Sequence, residues 1–354
     1  MKGMAQQQPQ ESNSACAPAP LETRTIAQLY AAALQEGGEL VVVEGGDAIN
    51  QDESLVSAFQ AQFPKMKLNL TVDLSKYKAA RIDLAFAKNT TPPDVVHLQT
   101  IEDFPRWKKE DRLLNYKPLG WEHVYPHFKD PEGAWTGLGC IVFSNVVNTS
   151  IPAASVPRNF LDYLDPKYKG KLIFTYPNDD DAALFLFYTA IKEHGWSYME
   201  SLMANHPTFV RGTYPAGDVV ASGSKLATFT ASGPAQTIPG SPIQLYLPTT
   251  DKFLAWGQRA AIFKDAAHPN AAKLWTSWNL QPSTQALTGT WPVRDDVTPP
   301  AGFLPIINYE NASLPEFPAF MENRAEAERF RAIIQLYVGD PLGPDPGTTY
   351  TSPS

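Results

Sequence analysis

Between residues 39 and 98 the chain alternates apolar strand and amphipathic helix, with a polar loop at each change. Glu39-Leu40-Val41-Val42-Val43-Glu44 is a nearly unbroken apolar run, the mark of a strand buried on both faces. It ends in Gly45-Gly46-Asp47. Glu53 to Phe63 follows as a helix, with Leu55, Phe59 and Phe63 at helical spacing and Pro64 as its stop. Lys67 to Val72 is the next strand and Lys78 to Ala87 the next helix. Asp94-Val95-Val96-His97-Leu98 is a third strand, leading into Gln99-Thr100. This β-α-β-α-β order demands a mainly parallel sheet with right-handed crossovers and helices on its faces, an α/β fold. Thr25 to Gln35 adds a helix in front, with Ile26, Leu29, Tyr30 and Leu34 on one face.

The pattern restarts at Lys171 to Gly195. Lys171 to Thr175 is a short strand, Tyr176-Pro177-Asn178 a turn, and Leu184, Phe185, Phe187, Tyr188 and Ile191 follow a helical period. Asn178 or Asp179 suits the N-cap, and Gly195 closes the helix. Strands feeding helices through polar loops are where open α/β sheets bind small molecules. Between the two α/β runs, Gly137 to Ser144 is a Gly-led strand able to carry the chain from one lobe to another. Further on, Leu226 to Thr230 runs into Ala231-Ser232-Gly233-Pro234, Ile243 to Pro248 returns, and Gly257 to Phe263 rejoins the first sheet. Met199 to Ala204, Pro269 to Leu280 and a last stretch, Pro315 to Leu336, are helical.

At 354 residues the chain exceeds one simple core, so two lobes are expected. Net charge is −8 and the basic residues gather nowhere beyond Lys108-Lys109, which argues against nucleic acid and anionic membranes as partners. No run approaches the roughly 18 apolar residues of a membrane span. No apolar segment follows Met1-Lys2-Gly3-Met4, so no signal peptide is read. Acceptor sequons at Asn69, Asn89, Asn148 and Asn311 point to a secreted, glycosylated chain whose signal peptide has been removed. Cys16 and Cys140 either pair, tying a Gln/Pro/Ser/Ala-rich N-terminal arm to the body, or stay as two thiols.

Several phrases, in order, resemble the type II periplasmic solute-binding proteins, in particular the ferric-iron and small-solute binders of ABC importers. They are Pro93-Asp94-Val95-Val96, Leu161 to Lys171 (LDYLDPKYKGK), Val220-Ala221-Ser222-Gly223, His268 to Trp275 (HPNAAKLW) and Pro292-Val293-Arg294-Asp295-Asp296. The resemblance spans roughly residues 38–298. It implies two α/β lobes joined by crossover hinge strands, a ligand in the cleft between them, and closure on binding. On that plan residues 1–23 are a disordered arm, 24–137 with 249–300 form lobe 1, 138–248 with 301–340 form lobe 2, and 341–354 are a tail. The sequons fit a secreted fungal-type relative, expected to be a monomer.

Iron sites in that family use adjacent tyrosines in the second lobe, since phenolates are hard anionic donors suited to Fe(III). The corresponding stretch here, Thr228-Phe229-Thr230-Ala231-Ser232-Gly233, has none, so neither that site nor another metal or cofactor is expected. Pro126 between His123 and His127 spoils a chelating helical face. Asp179-Asp180-Asp181 in a first helical turn either cap the helix or meet a cationic ligand; three together exceed what capping needs. Strand-end loops supply the other candidates: Gly46, Asp47, Gln99, Thr100, Asn178, Thr230, Ser232 and Thr250, beside the aromatics Tyr176, Tyr214 and Trp256. Ordinary turn chemistry accounts for such residues equally well. Gly-x-Ser-x-Gly, His-Glu-x-x-His and phosphate-loop motifs are absent, and no catalytic residue is assigned. The expected function is capture of a small polar ligand. An enzyme on the same scaffold is the alternative.

Overall fold

The computed structural model describes residues 19–287, 289–347 and 350–352. The first half runs α1 (Ile26–Gln35), β1 (Glu39–Gly45), α2 (Glu53–Gln62), β2 (Lys67–Asp73), α3 (Ser75–Ala87), β3 (Val95–Leu98), α4 (Asp103–Lys109) and the long β4 (Thr136–Asn148). Then come β5 (Ile173–Thr175), α5 (Asp181–His194), α6 (Ser197–Ala204), β6 (Thr208–Val210), α7 (Thr213–Ala221), β7 (Ala227–Ala231) and β8 (Ile243–Tyr246). The chain ends with β9 (Leu254–Ile262), α8 (Pro269–Asn279), α9 (Pro282–Leu287), α10 (Glu316–Glu322) and α11 (Arg324–Val338).

The α/β two-lobed architecture expected from the sequence is present. In the first lobe β2, β1 and β3 are parallel, and β9 runs antiparallel to β3. Two strands cross between lobes. Thr136–Phe143 of β4 pairs with β9, and Ser144–Asn148 of the same strand pairs with β7 and β8, with an irregularity at Ser144/Val146 marking the change. In the second lobe β5 and β6 are parallel and join β7 through a Leu172–Ala227 bridge.

Each lobe is filled by aromatic packing. Phe59 of α2 lies edge-on to Trp275 and Trp278 of α8, at 5.1 and 5.2 Å between ring centroids. In the second lobe Phe229 of β7 meets Phe160, Tyr163, Phe174 and Phe187 at 4.5–5.3 Å. Full burial of such side chains is worth about 1.5–3 kcal/mol each.

Several boundaries differ from the sequence reading. The last stretch is two helices, because Asn323 leaves helical geometry (φ −86°, ψ 68°) and its side chain caps α11 at the Glu326 amide. The N-cap of α5 is Asp180, one residue beyond the predicted pair: its side chain accepts from Ala183 N. α3 starts three residues early, at Ser75.

Candidate functional site

Because β1, β2 and β3 are parallel and in step, with Gly45 opposite Asp73 and Glu44 opposite His97, their carboxyl ends open on one edge. Three loops meet there: Gly45-Gly46-Asp47, Leu74-Ser75-Lys76 and Gln99-Thr100. They are tightly interlocked. The Gln99 amide donates to Ser75 Oγ at 2.9 Å, and a Cβ on Gly45 would stand 2.0 Å from that same oxygen. The Asp47 amide donates to Gln51 Oε1 at 3.1 Å, an atom 2.0 Å from where a Gly46 Cβ would sit.

The second lobe faces this edge with two helix starts. β5 leads through Tyr176–Asp180 into α5, and its parallel neighbour β6 leads through Arg211-Gly212 into α7. The two rims touch. Asp47 Oδ2 accepts from the Thr213 amide, from Thr213 Oγ1 at 2.7 Å and from the Tyr214 amide at 3.4 Å, so a first-lobe carboxylate caps a second-lobe helix. Lys76 Nζ donates to Asp179 Oδ1 at 2.6 Å and to its carbonyl at 2.9 Å, while Arg211 Nε holds Oδ2 at 2.8 Å. Gln99 Nε2 reaches Asp180 Oδ2 at 3.4 Å. Alongside, Arg331 pairs with Asp181, and Arg324 pairs with Glu102 at 3.1 Å. About 40 Å³ of space remains between the rims, lined by Asp47, Ser75, Lys76, Gln99, Thr100 and Asp179 to Asp181. That is room for a few waters or one small ion.

The carboxyls around this space are in different electrostatic states. Burial alone would raise Asp179, but hydrogen bonds from Arg211 and Lys76 outweigh it and hold the group below its ordinary range. Asp180 has no cationic partner among the described residues; burial, then the charge of Asp47, pushes it up to about 7. Burial and the neighbouring Asp181 raise Glu102 to about 8, with Arg324 opposing. Beneath the cleft, His97 Nδ1 donates to Glu44 Oε2 at 2.7 Å and Nε2 to the Gln258 carbonyl at 3.1 Å. Both nitrogens therefore carry protons, and although burial opposes the charge, Glu44 raises the imidazole above its ordinary value.

The C-terminal tail spans both rims. Tyr350 O accepts from the Ile49 amide at 2.9 Å, and Asn50 and Ser352 exchange bonds at 3.0 Å. On the other lobe Asp345 accepts from Arg211 Nη2 at 3.3 Å, Tyr350 OH bonds Asp218, and Pro346 packs on Gly212, whose left-handed φ of +84° and 2.8 Å clearance leave no place for a Cβ.

Of the predicted ligand residues, the fold brings Gly46, Asp47, Gln99, Thr100, Asp179 and Asp180 around one space, with the half-exposed Tyr214 at its edge. Asn178 turns away, its Nδ2 donating to the Gly339 carbonyl at 2.9 Å. Tyr176 is buried against Phe209 at 5.5 Å, and Trp256 is core, edge-on to Phe143 at 5.2 Å. Thr230 is spent inside the second lobe, its Oγ1 accepting from the Thr175 amide at 2.8 Å. Ser232 is exposed, and Thr250 lies in a loop held by Asn159 Oδ1 at 3.0 Å, also outside the cleft. Sequence reasoning missed Lys76, Arg211, Glu102, Arg324 and Arg331. Lys76 is within reach of the same reasoning, because it follows β2, whose parallel companions β1 and β3 both end in predicted site loops.

Among the sequons, Asn69 and Asn89 are exposed and Asn311 Nδ2 donates to the Asp251 carbonyl at 2.9 Å. The glycan expected at Asn148 has no room in the folded chain: that side chain is 7% exposed and donates to the Val220 carbonyl at 2.7 Å. Cys140 is buried in β4, whereas Cys16 lies outside the described residues.

Comparison with known proteins agrees with the resemblance read from the sequence. Residues 91–228 match the family model of the bacterial extracellular solute-binding proteins. No curated protein matches. Among solved structures, the fold is shared with iron-bound HitA from Pseudomonas aeruginosa (18% identity, TM-score 0.64, 84% of this chain and 99% of that one). A substrate-binding protein of an ABC transporter from Agrobacterium tumefaciens aligns at TM-score 0.70 with 13% identity, over 85% of this chain and 94% of its own. AfuA from Actinobacillus pleuropneumoniae, with exogenous fructose-6-phosphate bound, gives 0.61 at 16% identity, over 85% and 98%.

Proposed function

We propose that this chain, built on the two-lobed type II periplasmic-binding-protein fold, captures a small polar ligand carrying positive charge between its lobes and closes on it by a hinge at β4 and β9. The observation that carries the choice of charge is the pairing at the rim. Lys76 is spent on Asp179 and Arg211 on Asp179 and Asp345, whereas Asp180 lines the space between the rims with no cationic partner among the described residues. An anion entering there would have to displace Asp179 from two cations and would meet Asp47 and Asp180 as well. A cation would relieve the repulsion between those two. The same reading takes Asp47, Gln99 and Thr100 as ligand contacts, uses no tyrosine pair, and has the protein working outside the cytoplasm as a monomer. No helix among the described residues is long and apolar enough to cross a membrane.

The test is a thermal-shift and calorimetric screen of the full chain against amines, metal cations, organic acids and phosphates. The expected result is a rise in melting temperature with a cationic compound, lost in Asp180→Asn. Binding of only an anion, or amine binding indifferent to Asp180→Asn, would overturn the reading.

A further inference from the structure

The far end of α5 carries a second polar cluster that the cleft does not use. Glu193 and His194 stand in the last turn of that helix, and Asp251 comes from the loop between β8 and β9. One ligand atom from each lies within 4.8 Å of the others.

These groups are short of partners. Asp251 is only 5% exposed; its Oδ2 accepts from the Phe160 amide, Oδ1 has just a long 3.5 Å bond from Thr250 Oγ1, and no lysine or arginine among the described residues pairs with it. His194 Nε2 and the Tyr198 hydroxyl are both shut off from solvent without a hydrogen-bond partner. Tyr198, at the start of α6, is 2% exposed, with its ring 6.1 Å from that of His194 and its hydroxyl within the field of Asp251. Buried polar atoms in folded proteins are nearly always satisfied, so two orphans beside an unpaired buried carboxylate point to a missing electropositive ligand.

The donor set says which. One imidazole nitrogen and two carboxylates, with a hydroxyl or water to complete four-coordination, suit zinc among the divalent ions. The carboxyl end of the 14-residue α5 adds partial negative charge at the same place. The Phe160 amide holds one oxygen of the Asp251 carboxylate, as outer contacts to metal ligands do. We propose that Glu193, His194 and Asp251 bind one zinc ion, with Tyr198 closing the site, and so tie the α5–α6 junction to the loop ahead of the hinge strand β9. Asp180 stands at the other end of α5, about 20 Å away at the helical rise, so this site does not depend on what the cleft binds.

Full-length protein stripped with a chelator and titrated with Zn²⁺, then with Co²⁺ as a spectroscopic probe, tests this. The expected result is one equivalent bound, visible Co²⁺ absorption of a four-coordinate ion, and affinity about tenfold or more weaker in both His194→Gln and Glu193→Gln. Asp180→Asn should bind zinc as the parent does. His123→Gln should too, although His123 lies in another cluster with Asp295 and Asp296. Asp251 is deeply buried, so the half-buried His194 and exposed Glu193 carry the test, with melting temperatures of the metal-free variants confirming that they fold. Absence of zinc binding, an unchanged affinity in His194→Gln, or a loss in His123→Gln would each overturn the assignment.

Discussion

Asp180 holds three jobs that a single carboxyl rarely combines: it caps α5 through Ala183, meets Gln99 of the other lobe, and faces the enclosed space beside Asp47. Its raised pKa has a definite consequence. The folded chain holds this proton more tightly than the unfolded one, where the ordinary value is 3.8, so its contribution to stability is complete below that value and lost as pH rises through about 7. Glu102 acts in the same direction, from its ordinary 4.5 up through about 8. The melting temperature of the ligand-free protein should therefore fall between roughly pH 5 and pH 8, and the fall should be shallower in Asp180→Asn. Differential scanning calorimetry at a series of pH values measures both; a midpoint that climbs across that window would contradict the assignment. A cation that enters the space must displace the Asp180 proton, so its affinity should strengthen as pH rises through about 7. Calorimetry in buffers of different ionisation heat would register the released protons.

At the scale of elements, the two helix starts of the second lobe are treated differently. α5 is capped from within by Asp180, but the first amides of α7 are satisfied by Asp47 from the opposite lobe. Replacing Asp47 by alanine should remove about 1 kcal/mol from the closed form, while Asp47→Asn should retain most of it because the amide oxygen still accepts. Urea unfolding of both variants decides the point, and equal loss in the two would show that charge, rather than capping, is what Asp47 supplies. This contact also marks where sequence reading stops. β1, β3 and the Lys171–Gly195 unit were legible because hydrophobic period and turn residues are local signals, and parallel order then placed Gly46, Asp47, Gln99 and Thr100 on one edge. β6, three residues long, carries no period, so Arg211 behind it went unseen. Arg324 and Arg331 reach the acidic turn from α11, and no local pattern reports a contact across that separation. Thr230 and Trp256 failed for the opposite reason. Thr230 stands in β7, as read, and Trp256 in β9, which begins at Leu254, ahead of the expected Gly257; both side chains point into the core, and one residue of register decides that.

For the molecule as a whole, the question is what holds the lobes together without a ligand. Part of the answer is the rim, where Asp179 ties Lys76 to Arg211. The rest is the tail, which bonds Ile49 and Asn50 on one lobe and Arg211 and Asp218 on the other. A hydrogen bond nets about 1 kcal/mol, and ordering the tail gives back much of the sum. What remains for the strap is about 1–2 kcal/mol, a factor of roughly 5–30 in the balance between closed and open forms. Ending the chain after Gly339 should release that restraint. Small-angle scattering of the ligand-free truncated protein should then show a larger radius of gyration than the full chain, and ligand should associate faster. Equilibrium affinity should fall by up to the same factor, since the closed form that holds the ligand would no longer be favoured in advance. Identical scattering and association rates in the two proteins would mean that the tail merely rests on a cleft held shut by Asp47 and Asp179.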